Sequence, residues 1–384
     1  LSRTLLEDPD YLIPVDRVRF LLELTSQSPG ADHFGLRSRI TFGAEVVHAE
    51  PVDDGAAWLV TVKAGRKQTT YRYAGLVVAN GHNWNPKVPA YAGLEDFRGT
   101  VLHSADYKGP DVLRGKRVLV VGAGNTGCDV AVESAQNAAR TWHSTRRGYY
   151  YNPKFLMGKP SDQTADSLLA LRIPLPLRRV LFATSLKLTV GDFAKYGLKR
   201  PDHKFFETHP IVNQQLVYYV GQGDIAPVDD VAHFDADGAV FTDGSRADVD
   251  VVVFCTGYLV TFPFLEQSWL NWEGDHPQLF LQMFTPSFDT LVVSGLIQPD
   301  SGQWTLAHWQ GVLLARVAEA LRDDPVRAKA FLSRAPYEAG RRYSAGAHYK
   351  DSTRHYYEVA HQDYLTALQD AIHELEAHPS RRSA

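Results

Sequence analysis

Gly122, Gly124 and Gly127 make a G-x-G-x-x-G, and Arg146 and Arg147 follow further along the chain. Between a strand and a helix, such a turn can hold a pyrophosphate. The first glycine permits the tight turn, the second leaves the backbone open to the anion, and the third lets the helix pack closely on the strand. Asn125 and Thr126 sit inside the motif, where the free N–H groups of the helix start would face the phosphates. In an NAD site the next strand usually ends in an acid that binds the ribose 2′-hydroxyl. Here that position reads Thr145-Arg146-Arg147, with no acid beside it in sequence. Two guanidinium groups suit a 2′-phosphate. A carboxylate 4 Å from that phosphate would cost about 4 kcal/mol per unit charge at an effective dielectric of about 20. The residues therefore read as a site for NADPH rather than NADH.

The elements that must carry these residues follow from the pattern. Residues 117–121 form an apolar strand, a helix starts near Asn125, and residues 140–144 form the next strand. Three further apolar runs stop at a glycine: residues 76–79 lead to Asn80 and Gly81, residues 250–255 to Thr256, Gly257 and Tyr258, and residues 291–294 to Gly295. An apolar strand ending at a small residue suits a parallel sheet whose carboxyl end meets a ligand. Residues 40–73 alternate apolar and polar around two turns and predict a β-meander. Residues 15–24 suggest a helix, 82–96 a linker, 148–210 aromatic loops with short helices, 213–220 a helix and 231–242 a hairpin. Residues 307–321 predict an amphipathic helix, and 323–384 a charged helical tail whose Tyr364, Leu365, Leu368 and Ile372 pack at helical spacing.

Composition narrows the function. The 384 residues suffice for two domains, and 44% hydrophobic with 22% charged residues is ordinary for a globular chain. A net charge of −4 gives no reason to expect a nucleic-acid partner. Cys128 and Cys255 form no C-x-x-C, which argues against a dithiol centre, a flavin disulfide reductase and a metal site. Cys128 reads as a small residue buried under the glycine turn. The apolar run 251–265 is too short, and broken by Thr256, Gly257 and Pro263, so no membrane span is expected. With no signal peptide visible, the expectation is a cytoplasmic protein. The first residue is Leu1 rather than Met, which reads as an N-terminally truncated sequence.

The motifs together resemble the flavin-containing monooxygenase family, including its Baeyer–Villiger relatives. Phe97, Gly99, His103 and Tyr107 match F-x-G-x-x-x-H-x-x-x-Y, with Tyr at the end as in the N-/S-oxygenating branch, where the Baeyer–Villiger branch usually has Trp. Ser144-Thr145-Arg146-Arg147-Gly148 is similar to the family's arginine segment. Phe254-Cys255-Thr256-Gly257-Tyr258 is similar to its A-T-G-Y strand end, and Gly295-Leu296-Ile297-Gln298-Pro299 to its segment beside the flavin. The likeness spans about residues 33–320. It departs at the start: the family's FAD-anchoring strand and glycine turn, and the stretch carrying an active-site Asn, have no counterpart before residue 33.

The resemblance implies an α/β fold of two Rossmann-like domains with a β-meander and C-terminal helices. Residues 1–106 and 251–384 would form a discontinuous, incomplete FAD domain, and 107–250 an inserted NADPH domain. It implies an FAD- and NADPH-dependent monooxygenase acting on O2 and a small soft nucleophile, an amine or sulfide, through a C4a-hydroperoxyflavin. The alternatives are a Baeyer–Villiger ketone monooxygenase and a non-catalytic NADP(H)-binding protein, and a homodimer is left open. His103 and Tyr107 would organise cofactor movement as catalytic residues. Asn80, Gly81, Thr256, Gly257 and Tyr258 would form a hinge between the domains, and Gln298, Gln303 and Thr305 would line the flavin. Trp304 and Trp309 read as packing residues.

Overall fold

The computed structural model describes residues 20–22, 32, 34–156, 159–161, 173–349 and 355–376. The chain divides into two compact units, one of Leu1–Gly81, Thr261–Tyr343 and Tyr356–Ala384, the other of His82–Val260 and Ser344–His355.

The first unit opens with strand β1 (Phe20–Leu22), parallel to β2 (Ile40–Phe42). The helix expected over residues 15–24 is therefore a strand at 20–22, because a backbone partner at 40–42 decides a short apolar run that periodicity leaves ambiguous. The rest of that expectation lies outside the described residues. Strands β3 (Ala44–Val52), β4 (Ala57–Ala64) and β5 (Lys67–Tyr73) form the expected antiparallel meander. Its alternation buries Trp58, Val60 and Val62 on one face of β4. Strand β6 (Leu76–Val78) follows.

The second unit begins with β7 (Asn85–Pro86) and β8 (Thr100–His103). Then come β9 (Arg117–Val121), helix α1 (Asn125–Asn137) and β10 (Arg140–Ser144). Helices α2 (Leu175–Thr189) and α3 (Gln215–Gln222) lead to β11 (Ile225–Val228). A three-stranded antiparallel sheet of β12 (Val231–Asp235), β13 (Gly238–Phe241) and β14 (Arg246–Asp248) comes next. Strands β15 (Val251–Phe254) and β16 (Tyr258–Leu259) end the unit's main run. Five strands build one wholly parallel sheet in the order β11-β10-β9-β15-β8. Val118 to Val121 and Val251 to Phe254 are buried, as strands covered on both faces require. The unit's limits are wider than 107–250. Strands β8 and β15 are hydrogen-bonded into this sheet, so residues 82–106 and 251–260 belong with it.

Back in the first unit, β17 (Leu291–Val293) pairs in parallel with β6. Strand β18 (Gln298–Pro299) precedes the helices α4 (Gln303–Asp323) and α5 (Pro325–Leu332). Strand β19 (Glu358–Val359) pairs with β18 and is followed by α6 (His361–Glu376). The tail is thus interrupted, not helical throughout. Tyr364, Leu368 and Ile372 of α6 join Leu306, Leu313 and Val317 of α4 in one apolar core, with Leu365 partly buried against it.

Candidate functional site

The glycine turn is closed by backbone geometry that only glycine permits. Gly122 has φ +115°, and a Cβ there would lie 2.4 Å from the Cys255 carbonyl oxygen. A Cβ on Gly127 would lie 2.0 Å from the Gly122 oxygen, so α1 rests directly on the turn. Gly124 is the N-cap of α1 and brings no side-chain cap, and the first turn holds no acid. The free N–H groups of that turn are the geometry that accepts a phosphate. Thr126 is exposed beside them. Asn125 is engaged with the chain at 210–212. Its Oδ1 accepts from Val212 N at 2.8 Å, and its Nδ2 donates to the Pro210 oxygen at 3.4 Å. Cys128 lies fully buried beneath the turn, its thiol directed at the Ala123 oxygen.

The sheet order reverses at β9. From there the chain runs to β10 and β11 on one side, while β15 and β8 occupy the other. Ligands of open α/β sheets bind at such a reversal, outside the carboxyl ends of the strands. Those ends carry Gly122 on β9 and Cys255-Thr256-Gly257 on β15. Burial raises the Cys255 thiol pKa to about 12, which keeps it protonated at neutral pH.

Two buried histidines hold these turns. His103 Nε2 lies 3.0 Å from the Gly257 oxygen, while its Nδ1 accepts from Ala105 N at 3.1 Å. That pair fixes the tautomer: Nδ1 is the acceptor, so Nε2 carries the proton and donates it. The ring meets Tyr258 edge-on at 5.2 Å. His143, on β10, places Nε2 2.9 Å from the Gly122 oxygen in the same manner. Burial lowers both imidazole pKa values, so both are neutral at pH 7. With each nitrogen hydrogen-bonded to backbone, His103 holds the strand end. His143 was missed in the sequence, where nothing distinguishes it from a strand residue.

Tyr107 is not brought beside His103's hydrogen bonds. Its hydroxyl donates to Glu133 Oε2 of α1 at 2.6 Å, and its ring packs against the core under that helix. Burial first, and then the Glu133 carboxylate, raise its pKa well above the usual phenol range. Tyr107 thus latches the segment after β8 onto α1.

Arg146 is exposed, and Arg147 is half-buried with its Nε lacking a hydrogen-bond partner. No acid neighbours the arginines in sequence, but β11 pairs with β10 and brings Asp229 to the same strand end. Ser144 Oγ donates to the Asp229 carbonyl oxygen at 2.7 Å, and Lys199 Nζ lies 2.9 Å from the Asp229 carboxylate.

Thr256, Gly257 and Tyr258 run into β16, which pairs antiparallel with β7. Thr256 Oγ1 donates to the Lys87 oxygen, and Lys87 N donates to the Gly257 oxygen at 3.0 Å. The stretch just after Gly81 and the stretch just before Val260 are thus bonded to each other as a double strand within this unit. Asn80 and Gly81 are exposed. Gly81, Gly257 and Gly295 all take positive φ, of +73°, +85° and +81°.

In the first unit, Gln298 N donates to the Tyr357 oxygen at 2.8 Å. Gln303 is exposed at the start of α4, and Thr305 is half-buried. Trp309 packs against the core, but Trp304, expected to pack, is 86% exposed, because Leu306, Gln310, Leu313 and Val317 form the inward stripe. Gln310 was not legible as a site residue in the sequence. It is fully buried; its Oε1 accepts from Gly295 N at 2.8 Å and its Nε2 donates to the Tyr364 hydroxyl at 2.8 Å. The Tyr364 hydroxyl in turn donates to the Leu281 oxygen at 2.6 Å.

Flavin-containing monooxygenase 5 of Homo sapiens is 32% identical over 356 residues, covering 89% of this chain and 65% of that protein. A Pan troglodytes protein named dimethylaniline monooxygenase [N-oxide-forming] 2 is 32% identical over 308 residues, 76% of this chain and 56% of its own. The chain thus spans about 65% of the length of the first of these relatives. Among solved structures, an open form of cyclohexanone monooxygenase superposes with TM-score 0.59 at 19% identity, covering 89% of this chain and 81% of that one. The S-allyl-L-cysteine S-oxygenase of Allium sativum gives TM-score 0.56 at 18% identity, covering 89% and 64%. These likenesses establish a shared fold. A family model described as flavin-binding monooxygenase-like matches residues 16–383, nearly the whole sequence, and the chain belongs to that family.

Proposed function

We propose that this chain acts in an FAD- and NADPH-dependent monooxygenase that transfers one oxygen atom of O2 to a small amine or sulfide, and that its second unit is the NADPH-binding domain. The carrying observation is the Gly122–Gly127 turn under an uncapped α1 at the sheet reversal, with Arg146 and Arg147 following the next strand. The turn fits a pyrophosphate, because side chains are sterically barred from Gly122 and Gly127 and the α1 amides face outward. The arginines fit a 2′-phosphate. When bound, NADPH supplies a hydride and FAD the means of activating O2.

The protein's share of that chemistry is binding and orientation. Gly122, Gly124, Asn125, Thr126 and Gly127 form the cradle, with Asn125 holding the 210–212 backbone against it. His103 and Tyr107 act as positioning residues, one on the Gly257 turn and one on α1. Asn80, Gly81, Thr256, Gly257 and Tyr258 carry the crossings between units. In the first unit, Gln298, Gln303 and Thr305 are the candidates for flavin contact. The 384 residues hold no second G-x-G-x-x-G, so no flavin pyrophosphate cradle is assigned among them. Tyr107 at the end of the fingerprint, and the N-oxide-forming relative, favour amine or sulfide over ketone substrates.

The single glycine cradle favours one second reading, a non-catalytic NADP(H)-binding protein. An absorbance scan, calorimetry with NADPH and a measurement of O2-dependent NADPH oxidation separate the two. A flavin band with substrate-stimulated oxidation is expected from the monooxygenase. NADPH binding without either supports the second reading, and failure to bind NADPH sinks both.

A further inference from the structure

The arginine segment does not stand alone at its strand end. Lys199 Nζ donates to the Thr145 carbonyl oxygen at 2.8 Å and pairs with the Asp229 carboxylate at 2.9 Å. Thr145 N donates to the Val228 oxygen at 3.3 Å, so the ends of β10 and β11 are stitched together and Asp229 cannot drift away. A cavity of about 240 Å³ opens there, lined by Thr145, Lys199, Asp229, Asp243 and Ser245 among others. Lys199 is the one cation in that lining, against two carboxylates. An acid at the end of the second strand is the device by which such folds choose the unphosphorylated ribose. Here the acid is absent from β10 but restored in space by β11.

We propose that Lys199 is a specificity-determining residue for the dinucleotide: it neutralises Asp229 and thereby lets a 2′-phosphate settle on Arg146 and Arg147. This rests on the NADPH reading above. Without the lysine, Asp229 repels the phosphate and is free to accept from a ribose 2′-hydroxyl, so preference moves toward NADH. Lys199 acts through Asp229 and Thr145, not on the reacting atoms.

The test is calorimetric titration of the whole chain with NADPH and with NADH. Lys199→Met should raise the NADPH Kd about tenfold or more while NADH changes by less than about threefold, the asymmetry expected when a nearby unit charge is uncovered. Adding Asp229→Asn to Lys199→Met should restore NADPH affinity, which a merely structural lysine would not allow. Asp229→Asn alone should tighten NADPH and leave NADH unchanged, and it keeps the test open should Lys199→Met fold poorly. Equal weakening of both dinucleotides by Lys199→Met, or no rescue in the double variant, overturns the inference. Wild-type chain that binds the two dinucleotides equally would instead overturn the NADPH reading beneath it.

Discussion

His103 and His143 play the same part at two strand ends. Each donates Nε2–H to the carbonyl of a glycine that the turn needs in an unusual conformation. Their folded-state pKa values lie below 6.5 because burial disfavours the charged form. The unfolded chain therefore binds these protons more readily. Their stabilising contribution is complete above pH 6.5 and drains away as pH falls from 6.5 toward the lowered folded values. The urea midpoint should accordingly drop between pH 7 and pH 5, and His143→Gln, which keeps a donor without the titration, should flatten that drop. At the cradle, Gly127→Ala forces a methyl to within 2.0 Å of the Gly122 oxygen. The expected cost is about 2 kcal/mol in urea unfolding together with loss of NADPH binding. Replacing both Arg146 and Arg147 by Glu should weaken NADPH by about a hundredfold, from lost charged hydrogen bonds and added repulsion. NADH should fall far less, and equal losses would count against the 2′-phosphate assignment.

At the level of elements, β9, α1 and β10 were readable because each declares itself locally: an apolar run, a glycine turn, a helical period, another run. The meander and the strands ending at Gly81, Gly257 and Gly295 were readable for the same reason. The β1 strand was not, since three residues carry no period and only the partner at 40–42 decides. The same limit hid Gln310. A glutamine inside an amphipathic helix reads as a polar-face residue, yet it ties α4 to the Gly295 turn and to Tyr364 of α6. Gln310→Leu leaves the Gly295 amide without that acceptor and should cost about 2 kcal/mol in denaturant unfolding, more than an exposed Gln→Leu on the same helix.

For the whole molecule, the division into units predicts where a ligand is felt. NADPH at about a hundred times its Kd should stabilise the binding unit by about 2.7 kcal/mol. Slowed hydrogen exchange should concentrate in residues 82–260, and protection centred on the first unit would contradict the assignment. Sequence by itself determined the family, the glycine turn and the arginines behind it, because these are contiguous motifs whose chemistry lies in neighbouring residue types. It could not set the unit's limits, since membership of β8 and β15 in one sheet is a matter of hydrogen bonds between segments about 150 residues apart. Nor could it supply the electrostatics of the strand end. Asp229 and Lys199 stand far from Arg146 along the chain, and only the parallel pairing of β10 with β11 sets an acid, and the lysine that neutralises it, next to the arginine segment. Charge acts through space, so the tertiary structure decided what the arginines face.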